Sequence, residues 1–180
     1  MRNFAFFAVL CALFLASCSG GSGDKGKNEL LDSIKKMEAE LFSSPDMMLT
    51  ADKANQAVLL YSKYVKENPS DSASPVFLFK CAEMFRAVSN GKMAMEYYQR
   101  LISEYPESEK VPVAVFLQGF VYENLLNDLT QAEKAYRTYL EKYPGGEFAK
   151  DAEALIQNLG KSPEELIREF EERADTSKIS

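Results

Sequence analysis

The chain has 180 residues, 46% of them hydrophobic and 27% charged, which is enough apolar material for a real core and too much for a disordered chain. Its 27 acidic residues outnumber the 21 basic ones and no Lys/Arg cluster stands out, so the electrostatic footprint of a nucleic-acid binder is missing. Histidine is absent, which removes the commonest general base and metal ligand, and no paired acid/base, metal or glycine-rich phosphate constellation is evident. No enzymatic activity, cofactor, metal or small-molecule substrate is therefore expected.

The first element is an address rather than part of the fold. Residues 1–18 read "MRNFAFFAVLCALFLASC", with one Arg ahead of a 13-residue apolar run from Phe4 to Ala16. That run falls short of the roughly 20 residues of a bilayer span and reads as a secretory signal over residues 1–17. The stretch that ends it, "LASC", Leu15 to Cys18, resembles the lipobox of bacterial lipoproteins. The resemblance implies a diacylglyceryl group on the Cys18 thiol and cleavage just before it. It also implies a permanent tether, because two or three acyl chains hold where a single one holds only marginally. An ordinary signal peptide with an incidental Cys is the plainer alternative. Ser19 behind the lipidated Cys resembles the outer-membrane default of Gram-negative sorting, so the expected location is the outer membrane, facing the periplasm, with surface exposure as the other orientation.

"SGGSGDKGKN", Ser19 to Asn28, has the composition of a flexible linker. The expected division is thus a lipidated Cys and linker over 18–28 and a helical domain over 29–175. Cys11 leaves with the leader and Cys18 carries lipid, so Cys81 is the remaining thiol and reads as a small buried hydrophobe.

From there the chain repeats itself. "NELLDSIKKMEAELF", Asn28 to Phe42, reads as a helix that partners the next across the loop "SSPDMML". "AVLLYSKYVKENPSD", "AMEYYQRLISEYPES" and "AEKAYRTYLEKYPGG" then align on Pro69, Pro106 and Pro144, at spacings of 37 and 38 residues. They share Ala57/Ala94/Ala132 and Tyr61/Tyr98/Tyr136, and in each the apolar residues fall at i, i+3, i+4, i+7 and i+8, one face of an α-helix. The prolines end these helices. Between the copies, "SPVFLFKCAEMFRAV", Ser74 to Val88, and "VPVAVFLQGFVYENLL", Val111 to Leu126, each carry a Pro in the first turn of a further helix. Asn90-Gly91 and Asn127-Asp128 mark the turns back. After Pro144 a helix is expected from Glu147 to Leu159 with Phe148, Ala152, Leu155 and Ile156 inward, and "SPEE", Ser162 to Glu165, reads as a capping-box start.

These hairpins resemble the tetratricopeptide repeat, a two-helix unit of about 34 residues. Ala82, Phe85, Ala94, Tyr98, Leu101 and Pro106 match in the middle unit, and Gly119, Tyr122, Ala132, Tyr136 and Pro144 in the last. Gln118 stands where the family prefers Leu, and Tyr139 where it prefers Ala. The clearest repeats cover 50–159. The resemblance implies an all-α fold: a short right-handed superhelix of antiparallel helical hairpins, a TPR-like α-solenoid, with C-terminal capping helices. It also implies a partner groove lined by Val76, Phe79, Glu83 and Arg86 from the middle unit and by Val113, Phe116, Phe120, Glu123 and Asn124 from the last. Two occupants are open for these phenylalanines, a partner segment or the chain's own neighbouring units and terminal helices.

The repeat segment further resembles two envelope families, the Tol-Pal-associated periplasmic repeat protein and the lipoprotein subunit of the β-barrel assembly machinery. The implied function is a lipid-anchored envelope module or scaffold that binds a protein or peptide segment; the alternative is an accessory spacer of a membrane-bound complex with no groove-bound peptide.

Overall fold

The computed structural model describes residues 20–43 and 49–177, and every described element is helical. In chain order these are α1 (Gly20–Ser43), α2 (Ala51–Glu67), α3 (Ser74–Ala87), α4 (Gly91–Glu104), α5 (Val111–Asn124), α6 (Leu129–Lys142), α7 (Ala149–Asn158) and α8 (Pro163–Ser177). Each helix from α1 to α6 packs against the next in the chain, which gives the expected all-α, TPR-like solenoid. The expected signal peptide and Cys18 lie outside the described residues.

The repeat is visible atom by atom. The helices α2, α4 and α6 each end on a C-cap residue directly before a proline, Asn68, Tyr105 and Tyr143, whose φ values are −133°, −135° and −134°. A residue ahead of proline is pushed out of the helical region, so three prolines produce three identical exits. Each exit runs into the same loop, closed by amide bonds from Ser74 to the Asp71 carbonyl, from Val111 to Ser108 and from Ala149 to Gly146. By this pattern α7 is the first helix of a further unit. The turns back are likewise repeated: Ser89 and Asn127 take positive φ, 57° and 53°, and the next residues, Asn90 and Asp128, cap α4 and α6 with side-chain bonds to the amides of Met93 and Gln131.

The shared residues are core. Ala57, Ala94 and Ala132 are fully buried, as are Tyr98 and Tyr136, and Tyr61 is nearly so. Cys81 is buried too, and removal from water pushes its thiol up to about 12, the behaviour of an inert core residue. At the far end Ala152 is buried and Phe148, Leu155 and Ile156 are half-buried, as expected. The capping box also forms: the Ser162 amide donates to Glu165 Oε2 at 2.8 Å, and the Glu165 amide donates back to Ser162 Oγ at 3.2 Å.

One boundary differs. The stretch read as a linker up to Asn28 belongs to α1, which is helical from Gly20. The domain is also held before residue 29, because Lys27 donates to the Asp71 carboxylate at the α2–α3 junction. Leu30 and Ile34 are buried next to it. Once these contacts fix the helix, each further turn adds hydrogen bonds without a new nucleation cost, and this offsets the poor helix propensity of glycine.

Candidate partner-binding face

A buried tyrosine needs a partner for its hydroxyl, and all three repeated tyrosines find the same kind. Tyr61 on α2 donates to Glu38 Oε1 on α1 at 2.7 Å. Tyr98 on α4 donates to Glu83 on α3, and Tyr136 on α6 donates to Glu123 Oε2 on α5 at 2.7 Å. Each hairpin is thus pinned by one Tyr–Glu bond between its helices. Burial pushes all three phenols up, and the neighbouring carboxylate adds to the shift.

The carboxylates differ in what else they hold. Glu38 accepts from Lys80 Nζ at 2.7 Å, which joins α1 to α3. Glu83 binds Arg86 in a two-pronged pair, through Nε at 3.0 Å and Nη2 at 2.6 Å. Glu123 has the Tyr136 hydroxyl and no basic partner among the described residues.

Glu38 gives a pH dependence. Burial pushes its pKa up, but the bonds from Lys80 and Tyr61 outweigh burial and hold the carboxyl below its ordinary value. A depressed carboxyl contributes stability above its unfolded value, about 4.3, and loses it as pH falls through the folded value. Solvent reaches 25% of the Glu38 side chain, so screening limits the effect to about 1 kcal/mol. Glu38→Gln is expected to melt earlier than the parent at pH 7, with the gap closing below about pH 4. Melting curves across pH check this; a gap independent of pH would remove the ionic account.

The residues expected to line the groove do not share one environment. Val76, Phe79, Glu83, Arg86, Val113, Phe120 and Glu123 are half-buried along α3 and α5, and Asn124 is exposed, its amide donating to the Phe120 carbonyl at 3.1 Å. Arg86 lies over the Phe120 ring, 5.6 Å from its centre. Phe116 departs from the set. It is buried, stacked on Phe148 with ring centres 4.7 Å apart and packed on Tyr136 and Tyr139, so it belongs to the core.

Phe79 occupies the position equivalent to Phe116 and stays half-buried because of its neighbour. Where Phe148 covers Phe116, the corresponding residue over Phe79 is Lys110, whose ammonium lies 5.6 Å from the ring centre. A cleft of about 570 Å³ opens beside it, walled by Phe79, Pro112, Val113, Tyr143 and Phe148, with Glu109 and Glu147 among its lining. The sequence reading named Phe79 and Val113 here and missed the residues of the α4–α5 and α6–α7 loops. The one available signal was the alignment on prolines, which sets Lys110 against Phe148.

Comparison with known proteins agrees with this geometry. The tetratricopeptide repeat family matches residues 78–108 and 113–146, the two units built from α3 to α6. No curated protein sequence matches the chain. The two repeats mark the chain as a protein–protein interaction module.

Proposed function

We propose that this chain is a lipid-anchored protein of the bacterial cell envelope, held at the outer membrane and facing the periplasm, whose solenoid acts as an interaction module or scaffold in envelope assembly. The carrying observation is the order of its parts: "LASC" ends a signal-length apolar run directly ahead of a solenoid with two tetratricopeptide repeats. The likeness of the repeat segment to the two envelope families supports the same reading. The competing reading, an accessory spacer without a groove-bound peptide, draws on the burial of Phe116, which withdraws one aromatic position from the open face.

The anchor is tested by metabolic labelling with an alkyne fatty acid. Label is expected on the full chain and absent from Cys18→Ala, which should accumulate as uncleaved precursor, because the thioether needs that one thiol. Label that persists on the Ala variant would sink the lipoprotein reading.

A further inference from the structure

We infer that the open face of α3 and α5 takes a polypeptide segment carrying a bulky apolar or aromatic side chain and, about five residues along, a lysine or arginine. This rests on the interaction-module reading and names the chemistry of its partner. The apolar end is the cleft beside Phe79 and Val113, whose volume of about 570 Å³ lies in the range of small-ligand and side-chain pockets. Its walls are aromatic and proline surface, suited to a large apolar side chain.

The basic end is Glu123. Of the three carboxylates that receive a tyrosine hydroxyl, Glu38 is neutralised by Lys80 and Glu83 by Arg86, whereas Glu123 has no cation among the described residues. It is half-buried beside Phe120, so an incoming ammonium or guanidinium would meet a carboxylate already oriented by Tyr136 and partly withdrawn from water. Glu109 and Glu147 at the cleft, against the single Lys110, leave that end net negative as well. An acidic segment is disfavoured at both ends.

The spacing follows from helix geometry. Val113 and Glu123 are separated by ten residues of α5, about 15 Å along its axis. An extended chain covers that distance in about five residues.

The test pans random twelve-residue peptides displayed on phage against the full chain in detergent micelles. Enriched peptides are expected to pair a large apolar residue with Lys or Arg four to six positions away. Binding of the best peptide, read by fluorescence anisotropy, should weaken about tenfold when its basic residue becomes Ala. Glu123→Gln keeps an acceptor for Tyr136; it should weaken the parent peptide to the same degree and be indifferent to the peptide's Lys→Ala change. Tyr136→Phe removes the hydroxyl but keeps the carboxylate, so the preference for a basic residue should survive it. Saturable binding that ignores both the basic residue and Glu123 would overturn this inference and leave the interaction module standing. The absence of saturable peptide binding would count against that broader reading too. Self-association lost in Glu123→Gln would assign the face to a second copy of the chain and overturn the proposal.

Discussion

Replacing Gly119 with leucine is expected to lower stability by about 3 kcal/mol, or roughly 6 to 12 °C in melting temperature. A Cβ here would sit 2.9 Å from the Tyr136 ring carbon Cζ and closer still to Cδ1 and Cε1. The ring cannot retreat, because Tyr136 is fully buried and its hydroxyl is held by Glu123. Leaving glycine gains about 1 kcal/mol of helix propensity, which is too little to offset overpacking at a helix crossing. Gly145→Ala is the control: nothing lies within 4 Å of its would-be Cβ, and it should change stability by less than about 0.5 kcal/mol. Denaturant unfolding followed by circular dichroism compares them. If Gly119→Leu unfolds at the parent midpoint, the α5–α6 crossing is not as described.

Tyr98→Ala should have the larger effect, about 3 to 5 kcal/mol. Its side chain is fully buried between α3 and α4, packs against the Phe79 ring with centres 6.0 Å apart and donates to Glu83. Deleting it opens a cavity and takes a hydrogen bond from a carboxylate at once. Tyr98→Phe separates the two contributions, since it keeps the ring and removes only the hydroxyl; it should cost about 1 to 2 kcal/mol. Equal losses in the two variants would mean that the hydroxyl, not the ring, carries the site.

The pairing of tyrosine with glutamate was only half legible. The period exposes the tyrosines, because helix packing demands the same residue at the same place in every unit. It hides the acceptors. Aligned on the small residues Ala82 and Gly119, Glu83 falls opposite Phe120 and Arg86 opposite Glu123, so the carboxylate has moved by one helical turn between units. Both positions put a carboxylate within reach of the same hydroxyl, and a hydroxyl selects by distance rather than by register.

By itself the sequence determined the architecture and where the repeated helices α2 to α6 begin and end. Pro69, Pro106 and Pro144 end helices because proline excludes the helical conformation from the residue before it, Asn90 and Asp128 begin helices because their side chains cap free amides, and the apolar spacing dictates which face turns inward. These are local effects, settled within one or two turns of chain. Tertiary structure alone decided three things. Residues Gly20 to Asn28 are helical because Leu30, Ile34 and Lys27 dock on residues distant in sequence. Phe116 is core while Phe79 borders a cleft, because the residue that arrives over each from the next unit is Phe148 in one case and Lys110 in the other. Glu123 differs from Glu38 and Glu83 because no basic side chain among the described residues pairs with it. A residue's own type fixes what it can bind, but its burial and charge partner come from whatever the fold packs against it.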